Sequence, residues 1–372
     1  MEWQKDQAIL VAGGGISGTN ALRLILREGY RPILYDTREN YDREALFEKL
    51  GRRDFEVVLG ELPQEVIRRV QFCAMSPGLS LDRPFVAELK AAGVPLISEI
   101  SLAYHFSRGK VAVVTGTNGK TTTTTLIGHI MECVNPETST VGNIGRPYSE
   151  YVTKTTDQSL TVIEMSSFQI ETTDDLVPDL LVITNIRADH LDRHGSMENY
   201  VALKKKLCLS QRPDQVTVYN GDDPWLADVP RLTRGRGIPF SSRRELEEGC
   251  FLREGRIILR MEGQEWDLCH KDEIQLLGMH NTENIMAGVA AAKALGAPVE
   301  VIRRRILEFK AVPHRMELIA EKGGVLYYND SKATNPDSVV KAMEVVTPPV
   351  VLIAGGFDRH AEYREMAAFV IR

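Results

Sequence analysis

The chain has 372 residues, enough for two or three domains at about 150 residues each. Its 43% apolar content is too high for a disordered chain, and 45 basic against 51 acidic residues, net charge −6, argue against a dedicated nucleic-acid binder. There is no apolar run of membrane-spanning length, no leader pattern at the start and no C-x-x-C among five scattered cysteines, so a cytoplasmic chain without disulfides or membrane insertion is expected.

In chain order, "AILVA" (Ala8–Ala12) reads as a buried strand, Ser17–Glu28 as a helix and Pro32–Tyr35 as the next strand. Gly13, Gly15 and Gly18 between them match G-x-G-x-x-G, and Asp36 follows the second strand. That pattern reads first as a Rossmann dinucleotide site, in which glycine lets backbone amides approach a diphosphate, with a ligand-free glycine turn as the alternative. "FEVVLG", "VQFCAMSPG" and "GVPLIS" add strands, the last after a helix containing "FVAELKAA", so residues 1–107 form a small parallel-sheet domain.

A larger α/β domain is expected over 108–311. Its strands are Val111–Thr115, Leu160–Glu164, Leu180–Thr184 and Gln215–Tyr219, with an antiparallel pair at Arg256–Met261 and Glu265–Leu268. Helices follow Lys120 and cover Met197–Leu209 and Asn281–Leu295. Residues 312–372 hold a strand in "GVLYYND", a helix over Pro336–Val345 and a strand in "PVVLIAGG", too few elements for a closed two-sided sheet.

"VAVVTGTNGKTTTTTLIG" carries the chemistry. Strand, glycine turn and helix in succession set the amides of Thr117–Thr121 around an anion, with Lys120 reaching phosphates and the Thr121 hydroxyl placed for Mg²⁺. Val114 stands where a full Walker A has its first glycine, so this is a shortened P-loop for ATP. Glu164 ends a buried strand and needs a cation: either a magnesium beside Thr121 or an ordinary Arg or Lys partner. In "NIRADHLDRH" the loop after a strand gathers Asp189, His190, Asp192 and His194, with His190 a candidate metal or phosphate ligand or merely a solvent-facing histidine. Lys204 borders the apolar stripe of Met197, Tyr200, Leu203 and Leu207. A sheltered lysine there is pushed toward the neutral amine that reacts with CO₂, whereas one that snorkels to a surface partner is not.

With "VGNIG", "EMSSFQI", "GMHNTENIMAGVAAAKALG", "PHRMELI", "NDSKATNPDSV" and "AGGFDR", these segments resemble the Mur ligases from Gly13 to about Arg359, and "DSKATN" resembles the branch that adds D-glutamate. The resemblance implies three α/β domains: a Rossmann-like N-terminal domain, a central P-loop ATPase-like domain and an incomplete Rossmann-like C-terminal domain. It implies ATP-dependent ligation through an acyl phosphate, with UDP-N-acetylmuramoyl-L-alanine and D-glutamate as substrates, and a monomer is expected. Ser17 and Gly18 would then face the diphosphate, and Asp36, Thr37 and Arg38 the uridine. Gly116, Thr117, Asn118, Gly119, Lys120, Thr121 and Thr122 would hold ATP phosphates, with Asn281 and Asn284 on the adenine side. Two magnesium sites are implied, one at Thr121 and Glu164, the other at His190 and carbamylated Lys204. Asn143 would touch the muramoyl group; Arg315, Asp330 and Lys332 would bring the third domain onto ATP; Thr334 and Arg359 would lie near D-glutamate. The chain departs from the family in His360 after Arg359, in the Arg187–Ala188 pair, and in lacking a segment like "SPACASFDMF" that helps seat D-glutamate. A truncated nucleotide-binding remnant and a folylpolyglutamate-synthase-like ligase remain as alternatives.

Overall fold

A computed structural model describes residues 3–310, 312–346, 349–356 and 363–370. The chain divides into two compact units: the first comprises Met1–Lys110, Val141–Ser159 and Met165–Leu176, the second the remaining described residues. No described helix is long and apolar enough to cross a membrane.

The first unit is built on β1 (Ala8–Ala12), α1 (Ile16–Arg27), β2 (Arg31–Asp36), β3 (Glu56–Leu59), β4 (Val70–Met75) and β5 (Leu96–Ser98). These strands form one parallel sheet ordered β3-β2-β1-β4-β5. Ile9, Leu10, Val11 and Ala12 are all fully buried, the pattern of a central parallel strand covered on both faces. Helix α1 turns Ala21, Leu22, Leu24 and Ile25 inward. The strand order reverses between β1 and β4, which puts the Gly13–Gly15 turn at a topological switch point. Trp3 stacks on the His105 ring at 3.8 Å, with Tyr30, Phe72 and Phe106 around it.

A nine-stranded sheet comprises β6 (Lys110–Thr115), β7 (Thr138–Gly142), β8 (Leu160–Glu164), β9 (Leu180–Ile183), β10 (Val216–Asn220), β11 (Arg236–Ser241), β12 (Gly249–Arg253), β13 (Arg256–Met261) and β14 (Gln264–His270). Its order is β14-β13-β12-β11-β10-β9-β6-β8-β7. β6, β9, β10 and β11 pair in parallel, while β12, β13 and β14 form an antiparallel meander. Helices α2 (Lys120–Met131), α4 (Met279–Ala294) and α5 (Val299–Glu308) share one core with this sheet, and α3 (Met197–Ser210) lies between β9 and β10 in sequence. Because β9 and β8 flank β6, the carboxyl ends of these three strands converge at a second switch point.

The C-terminal segment differs from expectation. Glu317–Lys322 (β15) pairs antiparallel with Val325–Asn329 (β16), and α6 (Pro336–Met343) follows, but residues 349–356 form no strand. Val351 and Ile353 are 90% and 95% exposed, and no described strand offers that apolar run a hydrogen-bonding ladder. The α/β class and its Rossmann-like and P-loop parts stand as expected, with a two-stranded sheet at the C-terminal end.

Candidate active site

Strand β6 ends at Thr115 and α2 begins at Lys120, leaving Gly116–Gly119 as the loop. Gly116 and Gly119 have φ of +134° and +83°, and a Cβ would lie 2.0 Å from Thr184 Oγ1 at the first and 1.9 Å from Asn284 Oδ1 at the second. Only glycine fits either position. Asn185 brackets the loop from below. Its backbone oxygen accepts from Thr117 N–H at 2.8 Å, its Oδ1 from Asn118 N–H at 2.9 Å, and its Nδ2 donates to Asn118 O at 3.0 Å. The expectation that the Thr117 and Asn118 amides face an anion is therefore narrowed, since both are spent inside the protein. The first intrahelical bond of α2 runs from Thr123 N–H to Gly119 O at 2.9 Å, so the amides before it at the start of the helix are the ones suited to meet an anion.

Two lysines meet consecutive carbonyls of this loop. Lys120 Nζ donates to Thr117 O at 2.7 Å, and Lys204 Nζ donates to Gly116 O at 2.8 Å and to Thr115 Oγ1 at 3.2 Å. Lys204 is 1% exposed, so it does not snorkel. Burial pushes its amine well below the ordinary lysine range and Lys120 pushes the same way, against the pull of Asp189 and Glu164. Burial also lowers Lys120, opposed by Glu164 and Asp189 and assisted by Arg315. The Tyr200 ring lies 5.4 Å from Lys204 Nζ, and its hydroxyl is 3.1 Å from Thr117 Oγ1. Thr117 Oγ1 also accepts from Arg187 N–H at 2.9 Å, which ties the loop to the segment carrying Asp189 and His190. Asp223, fully buried at its side chain, holds that segment from the other side by accepting from Ile186 N–H at 2.7 Å and from Arg187 Nη1 at 3.0 Å.

His190 has φ +53°, an unusual conformation for a side-chain-bearing residue, and its Nε2 is 3.7 Å from Asp189 Oδ2. Glu164 and Thr121 are buried, as is Thr122. Among the described residues no group of three or more His, Cys, Asp or Glu could cage a metal ion. Magnesium does not need such a cage, because it keeps waters and is held by one or two carboxylates together with substrate phosphates. A buried carboxylate and a threonine hydroxyl at the loop's edge fit that donor set.

Asn284, buried in the first turns of α4, donates to Asn281 Oδ1 at 3.2 Å and abuts Gly119. From the C-terminal segment, Arg315 lies within electrostatic reach of both Asp330 and Glu164. Burial raises the Asp330 carboxyl, against the Met316 N–H it accepts from and the Arg315 charge. Lys332 is half-buried and Thr334 exposed; Arg359 lies outside the described residues.

In the first unit, Ser17 and Gly18 sit in the first turn of α1, where a Cβ on Gly18 would come within 1.8 Å of Gly13 O. Asp36 accepts from Gly14 N–H at 2.8 Å and from Arg38 Nε and Nη2, each at 2.8 Å. Burial pushes its carboxyl up, but the Arg38 guanidinium and the Gly14 and Arg38 amides outweigh it and hold it at about 2. A cleft of about 450 Å³ opens here, lined by Gly14, Thr19, Arg38, Tyr41 and Lys49 among others. Thr37 is half-buried beside Asp36, and Asn143 is exposed. Sequence reasoning missed Asn185, Asp223 and the Tyr200 hydroxyl. A polar residue directly after a buried parallel strand was the available signal for Asn185, whereas Tyr200 reads only as part of an apolar stripe.

A chain that holds both a Rossmann-like unit and a P-loop unit has the element order of the Mur ligases, and the family comparisons agree: the Mur ligase middle domain matches residues 114–292 and the MurD-like N-terminal domain residues 7–98. UDP-N-acetylmuramoylalanine--D-glutamate ligase of Lachnoclostridium phytofermentans is 43% identical over 357 residues, covering 95% of this chain and 78% of the relative. The enzyme of the same name from Lachnospira eligens is 41% identical over 360 residues, covering 96% and 80%. The chain belongs to the UDP-N-acetylmuramoylalanine--D-glutamate ligase family. Among solved structures, UDP-N-acetylmuramate:L-alanyl-gamma-D-glutamyl-meso-diaminopimelate ligase from Neisseria meningitides shares the fold at a TM-score of 0.55 and 18% identity, over 82% of this chain and 99% of that one.

Proposed function

We propose that this chain uses ATP to join D-glutamate to the carboxyl end of UDP-N-acetylmuramoyl-L-alanine, releasing ADP and phosphate. The observation that carries the reading is the pair of lysines, half-buried Lys120 and buried Lys204, on consecutive carbonyls of the phosphate loop with Glu164 within their field. That is a site prepared for concentrated negative charge, as when a carboxylate approaches a triphosphate.

In this reading Lys120 leaves Thr117 O for the terminal phosphates, and the first-turn amides of α2 hold the phosphate oxygens. Asn281 and Asn284 flank the adenine. Magnesium, when bound, would be held by Thr121 and Glu164 and, at a second position, by His190 with carbamylated Lys204, and it supplies charge neutralisation of the phosphates. The carbamate arises when the neutral Lys204 nitrogen bonds to the carbon of CO₂ and an N–H proton leaves to water. Ser17, Gly18, Asp36, Thr37 and Arg38 hold the uridine diphosphate end, with Asn143 on the muramoyl group.

The substrate carboxylate oxygen attacks the γ-phosphorus while the bond to the ADP oxygen breaks, giving an acyl phosphate. The D-glutamate amine, positioned by Thr334 and Arg359, adds to the acyl carbon, and phosphate leaves as the carbon–oxygen bond breaks, with Arg315 and Lys332 bringing the C-terminal segment onto ATP. Asp330, whose carboxyl burial raises against the opposing Arg315 charge, is the carboxylate of this segment proposed to take the amine proton.

The test is phosphate release. Release that requires ATP, UDP-N-acetylmuramoyl-L-alanine and D-glutamate together is expected. Release with a folate acceptor in place of the uridine substrate, or tight ATP binding without any release, would overturn the reading.

A further inference from the structure

Asn118 belongs to the phosphate loop, yet its polar groups point into the protein. Its N–H goes to Asn185, and its carbonyl accepts from Thr184 Oγ1 at 2.6 Å and Asn185 Nδ2 at 3.0 Å. Its side chain reaches residues more than two hundred positions away. Asn118 Nδ2 donates to Asp337 Oδ2 at 2.8 Å, Asn335 Nδ2 donates to Asn118 Oδ1 at 3.1 Å, and Ser338 Oγ lies 3.0 Å from the same oxygen. These three residues are the N-terminal turn of α6, with Asn335 as its N-cap. The far end of the same segment is also seated: a Cβ on Gly278, which precedes α4, would fall 2.6 Å from Val345 Cγ1.

We propose that Asn118 is a latch, a positioning residue that fastens the N-terminal turn of α6 to the phosphate loop and so holds the Asp330–Thr334 stretch against the nucleotide site. An amide suits the task because it presents a donor to Asp337 and an acceptor to Asn335 at once. Asp337 sits in the first turn of α6, where the helix dipole favours a carboxylate, and it accepts the bond from Asn118 Nδ2. A segment tied at Asn118 and at Gly278 has little freedom to swing between those points, and Asp330 and Lys332 lie immediately before it in the chain. The same side chain is therefore withdrawn from nucleotide binding, the role the loop motif alone implies for it.

Amide hydrogen exchange over residues 335–345 of the full chain tests the latch without depending on turnover. N118D sets a carboxylate against Asp337 and should speed exchange there by about tenfold while β6 and α2 keep their protection. N118D/D337N restores a donor–acceptor pair with the roles exchanged, and exchange should return to within about threefold of the parent. Asp337→Ala, remote from the loop backbone, should reproduce the loosening by itself. Unchanged exchange in N118D or Asp337→Ala, or failure of the double variant to restore protection, would overturn the latch. Its link to catalysis rests on the ligase reading: a chain with this exchange pattern that released no phosphate would keep the latch and sink that reading alone.

Discussion

Lys204 concentrates what is unusual at the residue scale. An amine 1% exposed, with Lys120 on the neighbouring carbonyl, holds its proton poorly in the folded chain, while in the unfolded chain it returns to the ordinary value of 10.5. The unfolded state therefore binds more protons over the intervening range, and stability must rise with pH there. In bicarbonate-free buffer the chain's thermal midpoint should climb from neutral pH toward pH values of about 9, and Lys204→Met should show a shallower climb because only Lys120 then contributes in that sense. Equal slopes would mean that the Lys204 amine keeps its proton. Lys204 was legible in the sequence because its place beside an apolar stripe forces a choice between burial and snorkelling. Its partners were not, since Gly116 O and Thr115 Oγ1 lie 88 and 89 residues away and no local pattern records which carbonyl a buried amine will reach.

Elements show the same division. Continuous apolar runs marked most of the parallel strands, and the glycine loop after β6 could be read directly. The expected strand at 349–356 failed because a strand is defined by its neighbour, while β15, mixed in polarity, formed because β16 was two residues away. Glu99 illustrates a contact between elements that sequence cannot show. It is 2% exposed, and its Oε1 accepts from Ser149 N–H at 2.6 Å, capping the short helix Tyr148–Tyr151 that Pro147 leaves without a side-chain cap. Burial raises its carboxyl above the ordinary value of 4.5, and the Ser149 bond opposes that only partly. A raised acid contributes stability fully below its unfolded value and loses it as pH climbs through the folded one. Glu99→Gln, which keeps an acceptor for Ser149, should match the parent within about 1 kcal/mol at pH near 5 and exceed it at pH near 8 in urea unfolding. A variant less stable than the parent at both pH values would show that the carboxyl is needed in its charged form.

For the whole molecule, the central claim is that the phosphate loop delivers the γ-phosphoryl group to a carboxylate and not to water. Lys120, Glu164 and Lys204 were all named from spacing and strand position, and they stand at the start of α2, at the end of β8 and on α3, within electrostatic reach of one another. What the chain pattern left open was how the loop is held: Asn185 beneath it, Tyr200 beside it, Asn118 reaching from it to α6. These are side chains whose role appears only once distant segments meet. The most direct measurement follows the oxygen atoms. UDP-N-acetylmuramoyl-L-alanine carrying a heavy oxygen isotope in its carboxyl group is turned over with ATP and D-glutamate, and the released phosphate is examined by mass spectrometry. Transfer through an acyl phosphate places one labelled oxygen in that phosphate; phosphate bearing no label, with the amide product formed, would contradict the account.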